Sequence, residues 1–187
     1  MLVFLILCII AILFFSYYPN FIIPDLNKKA SSVAHLWKAA QGTKGTLKLF
    51  DADLLKPGSF TQAIEGCDWV IHTASPFVIK GFKDAHEALI RPAVEGTANV
   101  LESCNAVESV KRVVLTSSVA SVYGDAVEIL KAPGGVFNEQ LWNNTSSESH
   151  QPYSYSKVMA ERKAWEICKK QSRWDLVTIN PSLVMGP

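Results

Sequence analysis

A chain of 187 residues with 49% hydrophobic and 19% charged side chains is long enough for one packed domain and too apolar to be disordered. Its formal net charge of +1 provides no excess of cations to neutralise phosphates, which excludes nucleic acid as an expected partner. Cys8, Cys67, Cys104 and Cys168 are scattered without a Cys-x-x-Cys pair, and His35, His72, His86 and His150 are isolated, so no metal site is predicted. The cysteines read as small buried hydrophobes of a reducing compartment, and His72, just past an apolar strand, as a hydrogen-bonded structural histidine.

Residues 1–24 form a hydrophobic leader. Leu2 to Phe15 is continuously apolar, yet a spanning helix needs roughly twenty such residues and reaches that count only across Ser16-Tyr17-Tyr18-Pro19-Asn20. Neither a basic start nor a small-residue cleavage site is evident, which disfavours a secretory signal. Two readings stay open. In one, residues 2–23 contact a membrane as an anchor and Lys28 and Lys29 keep the body cytoplasmic. In the other, the leader is sequence joined by a variant transcript or a misjudged gene boundary, and the body is cytoplasmic without an anchor.

Lys28 to Ala40 places Val33, Leu36 and Trp37 at helical spacing, ended by Gly42 and Gly45. Thr46 to Phe50 alternates like a strand and exits through Asp51 to Leu54. Ser59 is expected to N-cap a short helix that Gly66 closes. Trp69 to Ile71 reads as a buried strand, followed by a turn through His72 to Phe77. A longer helix is expected from Phe82 to Ala106, disturbed at Pro92, with Val94, Ala98, Leu101 and Val107 in its apolar stripe. Arg112 to Ser118 is a second buried strand that stops on hydroxyl residues. Tyr123 to His150 is polar, carries Pro133-Gly134-Gly135 and is long for a loop, which makes it a candidate substrate-side segment. Its overlapping sequons at Asn143 and Asn144 would matter only in a secretory lumen. A helix from Tyr153 through Cys168 and a strand from Trp174 to Pro181 complete the pattern, and the alternation predicts a parallel sheet.

Tyr153 and Lys157 stand four apart and share a helix face, so phenol and ammonium can meet in one site. A cation beside a tyrosine stabilises its phenolate and makes it a usable acid-base group. A Ser118 hydroxyl aimed at the same place could hold a carbonyl oxygen. Ligands of open parallel sheets bind beyond the carboxyl ends of the strands, where Ser118 and the Asn180-Pro181-Ser182 turn are expected.

Thr116-Ser117-Ser118, Tyr153 to Lys157, His72-Thr73-Ala74-Ser75-Pro76, Glu95-Gly96-Thr97-Ala98-Asn99-Val100-Leu101 and Asn180-Pro181-Ser182 together resemble the extended short-chain dehydrogenases/reductases, in the dihydroflavonol and cinnamoyl-CoA reductase branch of plants. The resemblance implies an α/β fold with a partial Rossmann-type, doubly wound parallel sheet. It covers residues 25–187 and is truncated at both ends: the first strand, glycine turn and helix that hold a pyrophosphate are missing behind the leader. Without those strands the edges of Thr46–Phe50 and Trp69–Ile71 would lie bare; the leader's apolar runs could fill one position, but the leader is expected to lie outside the sheet as a helix.

In this resemblance Ser118, Tyr153 and Lys157 are catalytic, with Tyr153 as proton donor and Lys157 lowering its pKa. Asp53, Leu54, Thr73, Ala74, Ser75, Tyr153, Lys157, Pro181 and Ser182 are implied to bind the cofactor. Asn99 matches a family asparagine, with a local backbone role as the alternative. NADP is the implied cofactor and NAD stays open, because the position of the arginine that pairs a 2′-phosphate falls near Pro24. The implied reaction is hydride transfer to a small-molecule carbonyl: an aldehyde, ketone or CoA thioester of phenylpropanoid or flavonoid type. The same triad serves epimerases and dehydratases, so the reaction class rests on the closeness of the resemblance; because the glycine turn is missing, the alternative is an inactive partial domain, membrane-tethered or not, that cannot hold a dinucleotide.

Overall fold

The computed structural model describes residues 10–12, 20–22, 34–41, 47–78 and 81–185. Its strands are β1 (Ile10–Ile12), β2 (Asn20–Ile22), β3 (Lys48–Phe50), β4 (Trp69–His72), β5 (Arg112–Thr116) and β6 (Asp175–Ile179). They form one sheet in the order β3-β2-β1-β4-β5-β6. The helices are α1 (Ala34–Ala40), α2 (Thr61–Ile64), α3 (Arg91–Ala106) and α4 (Pro152–Cys168).

The β4, β5 and β6 strands are parallel, with Val70 opposite Val113 and Val113 opposite Leu176. Alternate residues of β5 are buried, which puts Val113 and Leu115 on the face covered by helices. There they join Val100, Leu101 and Cys104 of α3, Ala164 and Ile167 of α4, and Phe60 and Ile64 around α2 in one core. Burial pushes the Cys104 thiol well above its ordinary range, so it packs as a small hydrophobe. Carbonyls of Cys104 and Asn105 at the end of α3 accept from Arg173, which also fixes the approach to β6.

The leader departs from expectation. Its described residues are strands: β1 pairs antiparallel with both β2 and β4, and β2 pairs parallel with β3. The two segments fill both positions next to β3 and β4, where unpaired backbone donors and acceptors are satisfied by apolar, β-branched sequence. The sheet is therefore mixed and not wholly parallel. No helix among the described residues is long and apolar enough to cross a membrane. The rest of the leader, residues 1–9, 13–19 and 23–24, lies outside the described residues, as do most of the residues expected at the start of the first helix.

Two further expectations change in detail. Ser59 does not cap α2, whose N-cap is Phe60; its hydroxyl donates to the Asp53 carbonyl at 2.7 Å and so clips the loop after β3. The long helix opens as a π-helical turn, His86–Ile90, before Pro92 enters the first turn of α3. Proline has no N–H to donate, and its ring crowds the carbonyl one turn back, so the wider turn absorbs the mismatch. Gly66, at φ 75°, turns the chain after α2 in a conformation that glycine adopts without strain.

Candidate active site

From the pairing directions, β3, β4, β5 and β6 all point their carboxyl ends to the same edge of the sheet. The exits of β5 and β6 are stitched together: Ser117 N–H donates to the Ile179 carbonyl at 2.8 Å and Val119 N–H to the Pro181 carbonyl at 3.0 Å. Ser118 caps a short 3-10 turn, Val119–Ser121, accepting from Ala120 N–H at 3.1 Å.

Opposite this turn, α4 starts on Gln151, a non-glycine residue at φ 57° and ψ 57°. A left-handed residue at that point costs about 1–3 kcal/mol and persists only when its surroundings enforce it. Here the Gln151 amide donates to Asp125 at 2.7 Å and accepts from Ser146 at 3.4 Å. The kink delivers Pro152 at the first turn and sets Tyr153 beside Ser118.

The structure brings the three expected catalytic side chains together. The Ser118 hydroxyl is near enough to the Tyr153 phenol to act on its pKa, and the buried Lys157 Nζ lies 5.6 Å from the centre of the Tyr153 ring. Burial pushes the phenol above its usual pKa and the Ser118 hydroxyl pulls the other way, which corrects the expectation of a phenol lowered by Lys157. Phe77, which sequence reasoning did not assign, meets Tyr153 edge-on, with ring centres 5.1 Å apart. Its only sequence signal was its place after His72-Thr73-Ala74-Ser75-Pro76.

Just beyond β4, Thr73 is exposed, Ala74 buried and Ser75 half-buried. His72 is fully buried, and neither ring nitrogen has a hydrogen-bond partner, which corrects the expectation of a hydrogen-bonded histidine. Burial, reinforced by the Lys157 charge, lowers its pKa to about 3. Pro181 is half-buried and Ser182 exposed beyond β6.

The Asp53–Leu54 segment sits at the exit of β3, where the Asp53 carboxylate already accepts from Leu55 N–H at 2.8 Å. Leu54 seats against α3 because Gly96 leaves room: a Cβ there would lie 3.1 Å from Leu54 Cδ2. Asn99 holds this loop in place. Its Nδ2 donates to the carbonyls of Asp53, Leu54 and Lys56, and its Oδ1 accepts from Gly58 N–H at 2.8 Å. The local backbone role considered for Asn99 is thereby corrected: its side chain bonds the backbone of a loop more than forty residues away in sequence. Replacing Asn99 with alanine is expected to lower unfolding free energy by about 1–3 kcal/mol, the cost of stranding such partners, as read from urea melts.

The long Tyr123–His150 segment is laced by polar contacts. Glu128 accepts from the N–H groups of Gly124 and Asp125 and from Thr145, and these bonds, offset in part by burial, lower its pKa. Asn143 is buried, with its amide bonded to Ala120, Thr145 and Ser146, while the Asn144 carbonyl oxygen accepts from Arg162. Tyr123 and Phe137 stack 4.3 Å apart beside a cleft of about 390 Å³ that also touches Val119 and Asn180. Among the described residues no three His, Cys, Asp or Glu side chains gather as a metal site.

An open α/β sheet with this hydroxyl, phenol and ammonium grouped at its carboxyl edge is a Rossmann-like domain. Residues 21–187 match the model of the NAD dependent epimerase/dehydratase family, and the chain belongs to that family. It is 43% identical over 157 residues to tetraketide alpha-pyrone reductase 1 of Arabidopsis thaliana, covering 83% of this chain and 46% of that protein. It is likewise 43% identical to a cinnamoyl-CoA reductase of Medicago truncatula, covering 83% of this chain and 47% of that one. An anthocyanidin reductase of Arabidopsis thaliana is 38% identical, covering 87% of this chain and 46% of that protein.

Among solved structures, the yeast methylglyoxal/isovaleraldehyde reductase Gre2 complexed with NADPH superposes with a TM-score of 0.72 at 30% identity, over 89% of this chain and 51% of that one. Gre2 of Candida albicans, also complexed with NADPH, gives 0.73 at 30% identity, over 89% and 50%. The chain spans about half the length of the curated relatives it matches. The plant-reductase resemblance read from the motifs is thereby supported.

Two parts of a dinucleotide meet suitable residues. At the reacting end these are the Ser118, Tyr153 and Lys157 cluster and the Pro181–Ser182 turn, and at the adenosine end the anchored Asp53–Leu54 loop. The diphosphate end is different. In β1 the residue at the ligand edge is the first, Ile10, so the strand's carboxyl end, Ile12, lies at the opposite edge.

Proposed function

We propose that residues 25–187 carry the site of an NADP(H)-dependent reductase. Its substrate would be a carbonyl of phenylpropanoid or flavonoid type: an aldehyde, ketone or CoA thioester. The observation that carries this reading is the contact of Ser118 with Tyr153 beneath Lys157. NADPH, when bound, supplies the hydride. Ser118 orients the substrate oxygen, Tyr153 gives it a proton, and the Lys157 cation stabilises the phenolate that remains. The aromatic surfaces of Phe77 and of the Tyr123–Phe137 stack fit a planar substrate. The names of the plant relatives and the NADPH in the yeast-type structures point the same way.

A second reading is favoured by the polarity of β1. Backbone amides aimed at a pyrophosphate come from the turn between a strand's carboxyl end and the next helix, and β1 offers none at the ligand edge. The chain would then retain the proton-handling groups without holding a dinucleotide. Titrating the purified chain with NADPH and following nicotinamide fluorescence separates the two. The reductase reading expects a saturable rise; a linear, non-saturating response supports the inactive domain.

A further inference from the structure

Glu161 is buried on α4, one turn beyond Lys157 and two beyond Tyr153, and the reaction as described does not use it. Its Oε2 accepts from Ser117 Oγ at 2.5 Å, Ser121 Oγ at 2.5 Å and Asn180 Nδ2 at 3.0 Å. Its Oε1 accepts from Trp165 Nε1 at 3.3 Å. The donors come from the residue preceding Ser118, from the turn that Ser118 caps, from the exit of β6 and from α4 itself. Two of them reach further: Asn180 Nδ2 gives its second proton to the Ser118 carbonyl at 3.1 Å, and the single Ser121 Oγ proton is shared between Glu161 and that carbonyl, 2.8 Å away. One carboxylate thus ties the backbone on both sides of Ser118 to the helix that carries Tyr153.

We propose that Glu161 is a positioning residue that fixes the Ser118 hydroxyl against the Tyr153 phenol by gathering Ser117, Ser121 and Asn180 onto α4. A carboxylate suits this because it is acceptor-only: Oε2 faces three donors and Oε1 a fourth, and none of them meets a competing N–H. Glutamine has the same shape but no charge, so its oxygen holds Ser117, Ser121 and Asn180 more weakly, and its N–H₂ meets Trp165 Nε1, a donor, on the other side. The Ser118 turn then shifts relative to Tyr153. Displacements of this size lower turnover steeply, because the reacting groups must hold near-attack geometry. The inference rests on the reductase reading for its consequence, though not for its geometry.

The test compares the wild-type chain with Glu161→Gln and Ser121→Ala. With NADPH and an aromatic aldehyde as probes, Glu161→Gln is expected to lower kcat at least tenfold while the Kd for NADPH stays within twofold. Ser121→Ala, a milder deletion that keeps the carboxylate, is expected to show part of the same loss. Combining it with Glu161→Gln should cost no more than Glu161→Gln alone. Unchanged kcat in Glu161→Gln, or parallel loss of kcat and NADPH affinity, overturns the proposal.

A readout independent of turnover is the phenolate absorbance of Tyr153, isolated by difference against Tyr153→Phe. Moving Ser118 away from the phenol weakens its lowering effect, so the Tyr153 titration should move to higher pH in Glu161→Gln. No movement overturns the positioning role. An upward shift in a chain without turnover keeps the positioning role and removes the reductase reading.

Discussion

Phenylalanine at position 153 is expected to lower kcat for NADPH-driven carbonyl reduction by about 10²–10⁴-fold, the usual contribution of a positioned general acid. Binding of NADPH should change little, because the ring, its edge contact with Phe77 and the Lys157 cation above it are all retained. Only the hydroxyl that meets Ser118 is lost. The direction of the Tyr153 shift adds a pH signature: burial raises the phenol above its ordinary value, so it stays protonated through neutral pH and can donate. Reduction should therefore be nearly flat between neutrality and moderately alkaline pH, while the reverse alcohol oxidation, which needs the phenolate, should climb with pH. Steady-state rates with a matched fluorescence titration check both. Wild-type turnover in Tyr153→Phe would remove the proton-donor assignment.

The second large effect concerns stability. His72 has a folded-state pKa lowered from 6.5 to about 3 by burial and the Lys157 charge. Below pH 6.5 the unfolded chain takes up a proton that the folded chain refuses, so this group's contribution to stability is whole above 6.5 and is lost as pH falls towards 3. At pH 5 the loss is about 2 kcal/mol, from 1.36 kcal/mol per pKa unit. Leucine at position 72 has no such proton to exchange and no unpaired ring nitrogen to bury. The stability difference between His72→Leu and the wild type should thus move in favour of the variant by about 2 kcal/mol between pH 7 and pH 5. Urea melts at the two pH values measure it, and a difference independent of pH would show that His72 is protonated alike in both states.

Much of this architecture was legible because its signals are local. The β4, β5 and β6 strands are short apolar runs bounded by turn residues, and Tyr153 and Lys157 carry their geometry in a four-residue spacing. Other features depend on contacts made far along the chain. Glu161 reads as a solvated helix charge until Ser117 and Asn180 arrive from two different strands. Ser59 has the chemistry of a helix cap, and only the return of the chain to Asp53 redirects its hydroxyl. The leader is the clearest case. An unbroken apolar run from Leu2 to Phe15 has no alternation to mark any part of it as strand, and the strand character of Ile10–Ile12 is imposed by pairing with β2 and β4. His72 followed a sound general rule about buried imidazoles that this site does not obey.

The reversed direction of β1 also bears on how the sheet assembles. Ile10–Ile12 and Asn20–Ile22 are neighbours in sequence as well as in space, so they can zip as a hairpin with little loop-closure entropy. A parallel pair would first have needed a helix to cross over between them. Ala11 meets Ile71 only after the intervening chain has folded back, so the hairpin is expected to form early and to dock late onto β4.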